Sequence, residues 1–78
     1  MSRPKKPRPY YSLLTRDGSP GCPWAIEFGD YDLDTVKDER DDYRDRGWKA
    51  SELKIITTTD EQADINRAVF ELNEALRK

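Results

Sequence analysis

The feature that most limits what this chain can fold into is a change of hydrophobic period around Gly29. Trp24, Ile26 and Phe28 alternate with other residues in the two-residue period of a strand. Beyond Asp32, the residues Leu33, Val36, Arg40 and Tyr43 fall at i, i+3, i+7 and i+10, which is one face of a helix. A chain that changes period there has to lay a helix against a sheet to bury both apolar surfaces.

Local signals fix the elements around that switch. Asp32 is a good N-cap, and Tyr31 before it is placed to pack on Val36. The Arg40 stem can lie over apolar neighbours, Arg44 and Arg46 suit a final turn, and Gly47 suits a left-handed residue just past the end. These signs predict a helix from about 33 to 46. Upstream, Tyr10–Arg16 has strand composition, residues 17–23 concentrate turn formers, and Trp24–Phe28 follows, so the two strands read as a hairpin. Leu53–Thr58 is β-branched and reads as a third strand. Thr59 with Gln62 has the pattern of a capping box, and Ile65, Ala68, Val69, Leu72, Ala75 and Leu76 form a stripe, predicting a helix from about 60 to 76.

The expected fold is therefore α+β, two-layer, in ββαβα order, with a three-stranded sheet and both helices on one face. Trp24, Ile26 and Phe28 would lie under the helices with Leu13 and Ile55. The third strand runs parallel to the second and, if it pairs with the first, completes an antiparallel sheet, which is the favoured arrangement. The opposite face would carry Tyr10, Leu14, Ala25 and Ile56 among Ser12, Glu27, Lys54 and Thr58. At 78 residues there is room for one domain, expected over 10–78, behind a basic, proline-rich, flexible tail at 1–9. A domain of this size buries only about 60% of its unfolded surface, so the two Trp, four Tyr and two Phe matter to its core.

Charge is unevenly spread. Residues 1–16 hold five bases and no acid, and the rest holds 16 acids against 9 bases. The acidic body should repel nucleic acid unless its few bases gather on one face. The tail residues Arg3, Lys5, Lys6 and Arg8 could grip phosphates without reading sequence, although no nucleic-acid-binding motif accompanies them.

Several chemistries lack their parts. The chain has no histidine, which removes the usual general base and zinc ligand. Its single cysteine, Cys22, lies between Gly21 and Pro23, away from any basic cluster that would favour a thiolate. Glu52-Leu53-Lys54, with Asp30, Asp32 and Asp34 upstream, has the spacing of a metal-nuclease site, but the chain is too short to build the longer sheet such sites use. The acidic run from Asp30 to Asp45 fails the EF-hand pattern, with Thr35 at its sixth position and Asp41 at its twelfth. The run could be an acidic face that imitates a nucleic-acid backbone or docks on a basic partner, but interleaved Lys37, Arg40, Arg44 and Arg46 favour a self-paired helix face, through Lys37–Asp41, Asp41–Arg44 and Asp42–Arg46.

The sequence thus predicts no catalytic residues, no metal and no cofactor. Two surfaces remain for a protein partner. One is Phe70, which lies about 140° around the second helix from its apolar stripe. The other is the mixed sheet face with Tyr10, Leu14 and Ile56.

At Phe28–Asp32, Glu39–Asp45 and Leu53–Ile56 the chain resembles small uncharacterised phage and prophage proteins of bacteria, over most of residues 10–58. The resemblance carries over no functional residues. It implies a setting, the cytoplasm of a bacterial host cell, and a manner of working, binding host or phage macromolecules. The expectation is a non-enzymatic protein-interaction module, monomeric or homodimeric, without a membrane span, and the alternative is a nucleic-acid accessory protein anchored by the tail.

Overall fold

The computed structural model describes residues 8–19 and 21–76. Most of the expected tail, including Arg3, Lys5 and Lys6, lies outside them. Strands β1 (Tyr10–Thr15) and β2 (Ala25–Asp30) are followed by helix α1 (Leu33–Asp45), a short 3-10 turn (Ala50–Glu52), strand β3 (Leu53–Thr58) and helix α2 (Gln62–Leu76). The sheet order is β2-β1-β3, and β1 is antiparallel to both neighbours. The α+β class, the ββαβα order and the antiparallel three-stranded sheet agree with the sequence-based expectation.

Helix α1 ends as its sequence dictates. The Asp32 carboxylate accepts from the Asp34 N–H at 3.0 Å, capping the first turn. At the other end Gly47 takes φ 107°, a left-handed value that a residue with a Cβ reaches only with strain. That turn lets the Gly47 N–H reach the Arg44 carbonyl (3.0 Å) and the Trp48 N–H reach the Tyr43 carbonyl (3.1 Å). Two orphan carbonyls are satisfied in the Schellman arrangement, and its hydrophobic contact is the Tyr43–Trp48 ring pair, 5.9 Å between centroids. The helix terminus and the core are closed by one device.

Residues directly opposed across an antiparallel pair share a face. Leu13 faces Phe28 on one side and Ile55 on the other, and Thr15 faces Leu53. This face meets α1: Leu13, Val36 and Leu53 are buried together, with Tyr11, Phe28, Tyr43, Trp48 and Ile55 packed around them. Full burial of an aliphatic side chain of this kind is worth about 1.5–3 kcal/mol.

The second face differs from expectation. Ser12 and Leu14 of the central strand are both 0% exposed, so the side of the sheet away from α1 is covered as well. Ile65 of α2 is also buried, yet it does not belong to the cluster around Leu13 and Val36. The Asn73 side-chain Oδ1 of α2 accepts from the Trp24 N–H at 2.7 Å, and Ala68 and Leu72 border a groove with Ile56, a residue on the Ser12 and Leu14 side. Helix α2 therefore lies across the second face, and the layers stack as helix, sheet, helix in place of two layers with both helices on one face.

A β-bulge explains part of this difference. Leu13 opposes Phe28 while Leu14 opposes Ile26, which leaves Glu27 as an extra residue in β2. Phe28 and Ile26, two apart in sequence, consequently end on opposite faces. Glu27 turns toward the α1 side instead, accepting from the Thr15 hydroxyl at 3.1 Å and the Tyr43 hydroxyl at 3.4 Å. Gly29 matters on the second face: a Cβ there would collide with the Tyr10 hydroxyl and lie 2.8 Å from its Cζ.

Candidate interaction surface

The edge strands offer different backbones. Leaving Glu27 unpaired, the bulge kinks β2, and bulges of this kind protect an edge against further pairing. Strand β3 keeps one unbroken register with β1 from Tyr10↔Thr58 to Thr15↔Leu53. The Arg16 N–H donates to the Glu52 carbonyl at 3.0 Å, one pair beyond that register. Hydrogen-bonded pairs alternate along an antiparallel ladder, so Leu14/Lys54, Ser12/Ile56 and Tyr10/Thr58 are the bonded pairs that follow. The main-chain groups of Ile55 and Thr57 consequently point away from β1, toward the open edge. Among the described residues, no loop or side chain takes them up.

Beside this edge runs a groove of about 370 Å³ lined by Ile56, Thr57, Ala68, Glu71 and Leu72. Ala68, Glu71 and Leu72 are spaced i, i+3, i+4 and so share one flank of α2. On the outer side of the helix Phe70 is 63% exposed, and Ile26 (43%) on β2 and Leu76 at the end of α2 are also open.

The four residues expected to meet a partner are thus separated by the fold. Ile56 lines the groove, and Phe70 is exposed on the helix beside it. Leu14 is corrected: at 0% exposure it belongs to the interior under α2. Tyr10 is half-buried, its ring lying over Gly29 and edge-on to Tyr31 with centroids 5.0 Å apart. The groove along α2 was missed because the helix was placed on the wrong face. A signal for it was present: Leu13-Leu14 and Ile55-Ile56 are adjacent apolar pairs, and a strand that is apolar on consecutive positions is covered on both faces.

The charged candidates have local roles. The Arg8 guanidinium lies over the Tyr31 ring, 4.4 Å from its centroid, and the Tyr31 hydroxyl donates to Asp60 at 2.9 Å. That bond to a carboxylate raises the Tyr31 pKa above the usual tyrosine value of 10.0. Burial, with the Glu27 charge second, raises Tyr43 likewise. Both Glu52 carboxylate oxygens are taken by main-chain amides, Oε2 by Gly18 at 3.1 Å and Oε1 by Lys49 at 2.8 Å. Glu52 therefore ties the hairpin loop to the 3-10 turn. These residues, with Asp17, Ser19, Arg46, Gly47 and Trp48, border a broad polar hollow of about 570 Å³. Hydrogen bonds from Ser19 hold the Asp17 carboxyl below its usual pKa.

The acidic run behaves differently from its predicted pairing. Arg40–Asp41 at 3.4 Å is the ion pair among the described residues, and Lys37–Asp41, Asp41–Arg44 and Asp42–Arg46 are not within pairing distance. Long exposed side chains gain little from such pairs. No group of three potential metal ligands gathers among the described residues, and Cys22 is a free thiol. No described helix is long and apolar enough to cross a membrane. The capping box at Thr59 is rearranged: its hydroxyl bonds Asp64 and accepts from the Glu61 N–H, while Gln62 bonds Asn66.

No family model matches the chain, and no curated protein or solved structure matches it either.

Proposed function

We propose that this chain is a non-enzymatic module that binds a protein partner through the α2 side of the molecule. One observation carries the reading: helix α2 borders a partly apolar groove with β3 on its inner flank and carries a strongly exposed Phe70 on its outer side. Aromatic residues are enriched at protein interfaces, where a few anchoring side chains carry most of the binding energy. The resemblance to phage and prophage proteins supports a setting for this activity, the modulation of host machinery inside a bacterial cell. Stacking of Arg8 on Tyr31 commits one of the tail's bases to the domain, which weakens the case for nucleic acid as the partner.

Affinity purification from the native host, quantified by mass spectrometry, tests the proposal. A protein retained by the wild type should fall at least tenfold with the Phe70→Ala, Ile56→Ser double variant, whose fold is checked by circular dichroism. Equal retention by a folded variant overturns the reading.

A further inference from the structure

Resting on that reading, we infer that β3 receives an extended, basic segment of the partner as a fourth strand. Three features of the structure converge on this edge. The main-chain N–H and C=O groups of Ile55 and Thr57 face outward, as derived from the Arg16–Glu52 bond and the unbroken register. The strand is six residues long, about 20 Å, and Lys54 is its single charge, so little on it deters pairing. Alternate side chains of an added strand would fall on the face of Ile56 and enter the groove between Ala68, Leu72 and the edge. Main-chain bonds supply affinity in this mode of recognition, and the groove supplies selectivity.

Charge decides the occupant. Residues 8–76 hold 16 acids against 9 bases, so the domain attracts a cationic segment and repels a second copy of itself. Glu71 lines the groove and is exposed. In a symmetric pairing of two β3 edges about Ile56, the grooves would close on each other and bring the two Glu71 carboxylates together. An incoming Lys or Arg would instead complement that charge. The chain's own segment 1–7 is basic, but Pro4 and Pro7 lack the N–H groups that a ladder needs.

A random octapeptide display library selected against the full-length protein provides the probe. The expected winners carry alternating apolar residues and at least one Lys or Arg. The best of them, labelled with fluorescein, should bind saturably. Binding should weaken tenfold or more when alternate peptide nitrogens on the pairing side are methylated, and severalfold with Glu71→Gln. In ¹⁵N spectra the Ile55 and Thr57 amides should gain protection from exchange on binding. Thr57→Pro, which removes an outward N–H only, should stay folded and lose the peptide. Failure to enrich any peptide, or binding indifferent to N-methylation, overturns strand addition. A dimer in sedimentation, with Ile55 and Thr57 amides already protected in the protein alone, overturns it too by giving the edge to a second copy. If strand addition fails while the Phe70 and Ile56 variant still releases its partner, the interaction module stands and only its mode is wrong.

Discussion

Under α1, Leu13, Val36 and Leu53 are closed in by Phe28, Tyr43, Trp48 and Ile55, and the helix end is locked to that core through Gly47. Under α2, Leu14, Ser12 and Ile65 are buried, but Ile26 remains open, Ile56 borders a groove, and the Ser12 hydroxyl has no hydrogen-bond partner among the described residues. One face is finished and the other is left incomplete. The difference suggests how a chain of 78 residues divides its labour. A small domain has enough apolar material to close one side well, and the looser side is the one free to accept a partner.

The largest expected effect is a contrast between the faces. Val36→Ala leaves a cavity in the closed core and should cost about 1.5–3 kcal/mol in urea unfolding. Ile56→Ala, at the edge of the groove, can be refilled by solvent and should cost roughly half as much or less. Equal losses would erase the distinction between the faces, and a larger loss at Ile56 would reverse it.

A smaller effect of opposite sign is expected at Ser12. Its hydroxyl is buried under α2 beside Leu14 without a partner among the described residues, a situation that costs about 1–3 kcal/mol. Ser12→Ala removes the oxygen without adding volume and should raise stability by about 1 kcal/mol. The midpoint of urea unfolding reads the gain directly, with an unchanged slope showing that the folded state is the one altered. A loss of stability would mean that the hydroxyl is satisfied after all, and that the α2 face is closed as well as its counterpart.

Much of the α1 side was legible in the sequence because its signals are local. Asp32, Val36, Tyr43 and Gly47 each announce a position within one helix, and the structure places them accordingly. The α2 side was harder to read because its placement depends on parity. A strict alternation of Trp24, Ile26 and Phe28 assigns all three to one face, and the extra residue Glu27 breaks that parity without any glycine or proline to mark it. Leu14 was put on the right face of β1 but read as exposed because α2 was placed beside α1, although the adjacent apolar pair Leu13-Leu14 held the contrary signal. The groove follows from where α2 lies, so no reading of α2 alone could have found it. Phe70, whose exposure depends only on its angle around its own helix, was found.

The smallest expected effect concerns alkaline pH and compares one tyrosine on the closed face with an exposed one between β2 and α1. Tyr43 is raised chiefly by burial, Tyr31 chiefly by its bond to Asp60. With the folded pKa above the unfolded one, the unfolded chain loses its proton first as pH climbs past about 10. Folding stability is then whole below that value and declines from there up through the raised folded pKa. Absorbance at 295 nm should show Tyr31 and Tyr43 ionising late, and Tyr31→Phe or Tyr43→Phe should each remove one late step. Unfolding should separate them: mild urea should return Tyr31 to its ordinary value before Tyr43, because an exposed bond opens before a core closed by Trp48 does. Simultaneous return of the two would show the molecule opening as one unit, and the contrast between a firm face and a loose one would then be confined to packing and would not extend to motion.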